Sequence, residues 1–191
     1  MRIGVLALQG AFIEHVRILQ KLDVGASLVY LPDQIDNLDG LVIPGGESTT
    51  ISRLMLEFDL MKPVRDLARA GLPVLGTCAG MILLAREASD FCLETLGLMD
   101  IRVKRNAFGR QVDSFETEIE MPALGREPFR AVFIRAPIVE HIDSGVEILA
   151  QLPDGVVVAA RQGKLVASAF HPELTSDVRF HRYFLDIVVS G

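Results

Sequence analysis

Cys78 lies in Gly76-Thr77-Cys78-Ala79-Gly80, which has the form of a nucleophile elbow with a thiol in place of the usual hydroxyl. Small residues on either side permit a tight strand-to-helix turn, and the nucleophile then projects at the C-terminal edge of a sheet, where α/β proteins bind ligands. A helix starting at that turn favours thiolate over thiol. Taken alone, the five residues fit equally well a buried cysteine between packing glycines. A candidate base lies far downstream in Ala169-Phe170-His171-Pro172-Glu173. Residues two apart on an extended backbone face one side, so Glu173 can orient His171 while His171 exchanges a proton with the thiol or a leaving amine. An isolated His-Pro-Glu reads as a capping turn before a helix; beside a cysteine elbow it completes a triad. The third segment is Pro44-Gly45-Gly46-Glu47-Ser48-Thr49. Its paired glycines let backbone N–H groups approach an oxyanion, and a peptide between them can turn to present either its carbonyl or its N–H. A phosphate loop is the rival, but the Lys-Ser or Lys-Thr of a Walker motif is missing and Glu47 would repel phosphate. The same stretch also reads as a strand-to-helix turn capped by Ser48 or Thr49.

These segments need a scaffold that gathers distant strand ends. Residues 3–8 form a continuous apolar run of the kind buried on both faces of a parallel sheet, followed by a helical pattern over 11–22. Further strands are expected over 27–31, 41–43, 73–76 and 164–169, with helical spacing over 50–58, 81–85 and 178–189. Pro63 suits the first turn of an intervening helix and Gly71 its C-terminal cap. Beyond Gly97 the texture shifts to β-type alternation, as in residues 114–120 and 155–160. The expected fold is α/β, a mainly parallel central sheet flanked by helices with added antiparallel strands, in a single domain over residues 1–191.

The chain of 191 residues is 50% hydrophobic with a formal charge of −6, which gives it no general attraction for nucleic acid or anionic membranes. The apolar run at 3–8 is too short for a signal peptide, and no stretch approaches the roughly 18 residues of a membrane helix. Cys78 and Cys92 are the only cysteines, too few to suggest a disulfide framework in a chain of this size, so a reducing cytoplasm is the expected location.

In their order along the chain, Pro-Gly-Gly, the cysteine elbow and His-Pro-Glu resemble the class I, triad-type glutamine amidotransferases. Longer motifs narrow the resemblance. Leu6-Ala7-Leu8-Gln9-Gly10, Pro44-Gly45-Gly46-Glu47-Ser48-Thr49-Thr50, Gly76-Thr77-Cys78-Ala79-Gly80-Met81, Arg105-Asn106-Ala107-Phe108-Gly109-Arg110-Gln111-Val112-Asp113-Ser114-Phe115-Glu116, Phe133-Ile134-Arg135-Ala136-Pro137 and His171-Pro172-Glu173-Leu174 are similar to the family of glutaminase subunits of pyridoxal 5′-phosphate synthases. The resemblance covers essentially the whole chain.

It implies a flavodoxin-like class I glutamine amidotransferase fold and hydrolysis of L-glutamine to glutamate and ammonia through a cysteine thioester. It also implies a partner, a barrel-shaped synthase subunit in a large hetero-oligomer, that joins the ammonia to pentose and triose phosphates. By the same resemblance Cys78 is the nucleophile, His171 and Glu173 are its relay, and Gly46, Glu47 and Ser48 form a glutamine-binding loop. Arg105 and the Ile134-Arg135 backbone supply further substrate contacts, and the Gly46 and Ala79 N–H groups hold the oxyanion. A guanidinium such as that of Arg105 suits a carboxylate through paired hydrogen bonds. The chemistry requires no metal and no organic cofactor, and pyridoxal phosphate is the pathway product. Three rivals stay open at this stage. They are an amidotransferase for another acceptor, as in histidine or anthranilate synthesis, a dienelactone-type cysteine hydrolase, and a non-catalytic scaffold.

Overall fold

The computed structural model describes residues 1–89, 93–105 and 114–190. Cys92 and the stretch 106–113 lie outside the described residues. The first half alternates as expected: β1 (Arg2–Leu6), α1 (Phe12–Lys21), β2 (Gly25–Val29), β3 (Gly40–Ile43), α2 (Ser48–Glu57), α3 (Met61–Arg69), β4 (Val74–Thr77) and α4 (Ala79–Leu84). Gly71 follows α3 with φ +104°, the left-handed C-terminal stop that its position suggests.

The second half carries β5 (Ala85–Ala88), β6 (Met99–Lys104), β7 (Ser114–Ile119), β8 (Phe129–Ile134), β9 (Ile138–Ile142), β10 (Glu147–Gln151), β11 (Val157–Gln162), β12 (Leu165–Ser168) and α5 (Arg179–Val189). Ten strands form one sheet in the order β2-β1-β3-β4-β12-β11-β9-β6-β5, with β10 beside β11, while β7 and β8 make a separate hairpin. The segment β2-β1-β3-β4-β12 is parallel throughout. Its order is the flavodoxin-like one, with the late strand β12 in the fifth place. The bonds joining β12, β11, β10, β9 and β6 are antiparallel. Among the described residues no helix is long and apolar enough to cross a membrane.

Register explains how distant segments meet. Ile43 pairs with Gly76, and Thr77 pairs with Ser168, so β3, β4 and β12 end nearly level. The chain that leaves each strand therefore emerges at one edge. Central residues such as Val42, Leu75 and Val166 are fully buried, as a parallel sheet covered on both faces requires. Behind the edge, Phe170 packs against Phe129, Phe133 and Phe180 at ring-centroid separations of 5.6, 5.7 and 5.4 Å. These contacts join the β7–β8 hairpin and α5 to the residue just before His171, and His171 N–H donates to the Val132 carbonyl at 2.8 Å.

Candidate active site

Cys78 occupies the turn between β4 and α4 with φ +49° and ψ −102°. A left-handed φ at a non-glycine residue costs about 1–3 kcal/mol and persists only when its surroundings enforce it. Here the Cys78 N–H donates to the Ser168 carbonyl at 2.7 Å, and the flanking glycines admit no side chain. A Cβ on Gly76 would stand 2.6 Å from the Gly80 backbone, and one on Gly80 would stand 2.1 Å from the Ile43 carbonyl oxygen. The elbow is thus wedged against β3. Helix α4 has only six residues, so its local N–H groups matter more than an extended dipole. Ala79 is its first residue, and its N–H lacks an intrahelical acceptor. The Cys78 thiol lies 3.8 Å from the Ile134 carbonyl oxygen.

His171 Nδ1 lies 2.6 Å from Glu173 Oε1, and Cys78 is close enough to the imidazole to favour its charged form. The expected pairing of His171 and Glu173 is present, but the backbone differs from the expectation. Pro172–Leu174 is a 3-10 turn rather than extended chain, and this turn folds the carboxylate back onto the ring. Burial opposes charge on His171, yet the nearby Cys78, the hydrogen bond to Glu173 and the charge of Glu173 push the imidazole up to about 10. Burial likewise opposes ionisation of Glu173, and His15 and His171 outweigh it, holding the carboxyl below its ordinary value.

Gly45 closes over this pair. A Cβ there would lie 2.3 Å from His171 Cε1 and 3.2 Å from Cys78 Cβ. Gly45→Ala is therefore expected to displace the imidazole by up to about 1 Å and lower turnover on the order of 10- to 100-fold in a folded protein. Steady-state kinetics with a melting curve checks this; parent turnover in the variant contradicts it.

The glycine loop is held more firmly than two adjacent glycines suggest. The Gly45 carbonyl accepts from Ala11 N–H at 3.0 Å, Gly45 N–H donates to Thr77 Oγ1 at 3.1 Å, and Glu47 N–H donates to Gln9 Oε1 at 2.7 Å. Because the peptide is trans, the Gly46 N–H points away from the β1–α1 turn that binds the Gly45 carbonyl. Gly10, at φ +98°, makes room for that carbonyl, since a Cβ on it would stand 1.9 Å from the Gly45 oxygen.

The cap of α2 corrects the sequence reading. Neither Ser48 nor Thr49 serves; the Glu47 carboxylate accepts from Thr49 N–H at 3.1 Å and Thr50 N–H at 2.6 Å. An extended Glu47 backbone brings its longer side chain round to these donors. Burial opposes ionisation, but the hydrogen bonds from Thr50 and Thr49 together outweigh it and hold Glu47 down to about 2. Arg105 also binds it, with Nη2 2.9 Å from Glu47 Oε1 and Nη1 3.1 Å from Thr49 Oγ1. The Ser48 hydroxyl, released from capping, is buried without a hydrogen-bond partner among the described residues.

A cavity of about 310 Å³, within the range of small-molecule sites, lies over the thiol and is lined by Gly46, Glu47, Ser48, Cys78, Ala79, Arg105, Ile134, Arg135 and His171. Every residue named from the sequence reaches it except Glu173, which sits behind His171. Arg135 enters with φ +43°, a conformation that turns the chain after β8.

Three buried polar residues near the triad escaped the sequence reading. They are His15, Thr77 and His181, each with 0% exposure. Their signal was placement: His15 shares the buried face of α1 with Ile18 and Leu19, and His181 shares that of α5 with Phe180, Phe184 and Leu185. A histidine on an apolar stripe must find a partner inside.

The SNO glutamine amidotransferase family model matches residues 5–190. A protein named pyridoxal 5′-phosphate synthase subunit PdxT from Herpetosiphon aurantiacus is 58% identical over 190 residues, covering 98% of this chain and 100% of that one. A protein of the same name from Moorella thermoacetica is 58% identical over 188 residues, again covering 98% and 100%. A solved structure described as a glutamine amidotransferase superposes with a TM-score of 0.93 at 46% identity and covers 98% of both chains.

Proposed function

The chain belongs to the SNO glutamine amidotransferase family and is a glutaminase subunit supplying ammonia for pyridoxal 5′-phosphate synthesis; from this premise we propose that Cys78, His171 and Glu173 carry the hydrolysis. The observation that supports this most strongly is the thiol, imidazole and buried carboxylate in series beneath a cavity whose rim holds Glu47 and Arg105. Family membership sets aside the dienelactone-type hydrolase, and the relatives' names favour pyridoxal phosphate over other acceptors.

In the proposed reaction Arg105 binds the α-carboxylate of glutamine, Glu47 accepts from its α-ammonium group, and Ser48 offers its buried hydroxyl. The Ile134-Arg135 backbone borders the side-chain amide. Thiolate attack on the δ-carbonyl forms a C–S bond and an oxyanion, which accepts from Ala79 and Gly46 N–H groups. Collapse of this intermediate breaks the C–N bond while His171 gives its proton to departing ammonia. Water then loses a proton to His171 as it attacks the thioester; the C–S bond breaks, and glutamate leaves the regenerated thiolate. Glu173 stays ionised and holds the imidazole in one orientation throughout.

Because His171 is pushed up to about 10, its protonated form persists through neutral pH. Turnover is therefore expected to hold into alkaline solution and decline as pH rises through about 10, where the ammonia-directed proton is lost. A pH profile of kcat with an alkaline limb near neutrality contradicts that assignment.

The partner in this reading is a barrel-shaped synthase subunit within a large hetero-oligomer. The test mixes the chain with a purified synthase subunit of this kind, pentose phosphate and triose phosphate, with either glutamine or ammonium as the nitrogen source. Pyridoxal phosphate is expected from glutamine only when the chain is present, and from sufficient ammonium without it. Ammonia release from glutamine with no pyridoxal phosphate would reject the partner while leaving the glutaminase chemistry standing.

A further inference from the structure

We propose that His15 is a positioning residue of the glutaminase reaction, holding Glu173 in register with His171 through a buried imidazole chain that ends at His181. This rests on the triad reading above and extends it by two residues that touch neither thiol nor cavity.

His15 Nε2 lies 3.3 Å from Glu173 Oε2 and 3.1 Å from Thr77 Oγ1, while its Nδ1 lies 2.9 Å from His181 Nε2. The two imidazoles meet at a ring-centroid separation of 5.1 Å. An ionised carboxylate can only accept, so the His15 nitrogen facing it must carry a proton. Burial is the dominant influence on His15 and holds it below its ordinary value, so that this is its single ring proton. Its Nδ1 is then a lone pair, which requires His181 to donate from Nε2. Burial and the neighbouring His15 also push His181 down to about 3, and its Nδ1 is correspondingly left without a partner among the described residues. The donors run one way, from His181 to His15 and from His15 to Thr77, with Glu173 Oε2 beside the same His15 N–H and Glu173 Oε1 accepting from His171.

Two neutral rings suit this place better than a cation. Glu173 Oε2 is buried without a hydrogen-bond partner among the described residues, and the His15 N–H 3.3 Å away reduces the cost of burying its charge. A cationic residue there would instead share that charge and weaken its hold on His171. The groups facing His15 are Glu173, His171 and His181, with Glu14 on its own helix. A second connection runs through Thr77, whose Oγ1 contacts His15 and accepts from Gly45 N–H. The same imidazole thus steadies the triad carboxylate and the side chain that anchors the glycine loop.

The test uses the full chain with its synthase partner and follows glutamine hydrolysis across pH for the parent, His15→Leu, His15→Gln and His181→Leu. In His15→Leu, kcat is expected to fall about tenfold with KM little changed, a smaller loss than removal of a triad member. Its acidic limb should shift to higher pH, because the charged form of Glu173 loses a donor. His15→Gln, whose amide N–H reaches the Nε2 position, should recover most of both properties, and His181→Leu should show the same signature at smaller size. A folded His15→Leu protein with parental kcat and acidic limb overturns the proposal, as does lowered melting temperature with unchanged kinetics. Should His15→Leu fail to fold, a parental pH profile in His181→Leu overturns it equally. An inactive parent instead overturns the glutaminase reading itself.

Discussion

Cys78→Ala is expected to lower glutamine turnover by at least about 1,000-fold while leaving the fold intact. Alanine keeps the Cβ, so it meets no new contact in a position that is 6% exposed, and the φ of +49° is no harder for alanine than for cysteine. The 2.7 Å bond from the residue 78 N–H to Ser168 belongs to the backbone and survives. What disappears is the sulfur that the proposed reaction joins to the δ-carbon, and among the described residues lining the cavity none carries a second thiol. Glutamate and ammonia release, read beside a melting curve, separate chemical loss from unfolding. Appreciable turnover by a folded Cys78→Ala protein removes the covalent mechanism. Cys92, which lies outside every recognised motif, is expected to be dispensable, so Cys92→Ser should retain parental turnover.

The second large effect is at the base. His171→Asn is expected to lose on the order of 100- to 10,000-fold in kcat, since it removes both the proton acceptor for the thiol and the donor to ammonia. Glu173→Gln acts through tautomer and charge. A glutamine amide can turn an N–H toward His171 Nδ1, forcing the imidazole into the wrong proton arrangement, and it removes the negative charge that helps raise His171. Its turnover should fall while its apparent affinity for glutamine stays near the parent, because the carboxylate lies behind His171 and outside the cavity. Its alkaline limb should also move toward neutral pH, the direction set by weakening a group that favours the protonated imidazole. Parental rates in both folded variants would take the two residues out of the triad.

The parts of the site legible in the sequence were those whose chemistry is local. A Gly-x-Cys-x-Gly turn needs both glycines, and the close approaches of Gly76 to Gly80 and of Gly80 to Ile43 explain why. His171 and Glu173 are neighbours in the chain, so their pairing survived the replacement of an extended segment by a 3-10 turn. The alternating start was legible because continuous apolar strands and amphipathic helices have different periods. The place of β12 was not, because chain order does not reveal that a strand following a long antiparallel excursion returns beside β4. Glu47 was missed as the α2 cap for a related reason. Local preference favours Ser or Thr, whereas the observed choice depends on a Glu47 side chain that also meets Arg105 from a distant strand end. His15 and His181 were hidden most completely. They are separated by 166 positions, and nothing in either helix names the other as its partner.

The most direct measurement is covalent labelling of the native chain with a glutamine-like electrophile, followed by peptide mass spectrometry, with and without excess glutamine. Reaction at Cys78, slowed by glutamine and absent in Cys78→Ala, is the expected result, because among the described residues the cavity proposed to bind glutamine is lined by that thiol alone. Labelling that falls on other residues, or that proceeds at Cys78 at the same rate with saturating glutamine, would contradict the assignment of this cavity and thiol as the glutaminase site.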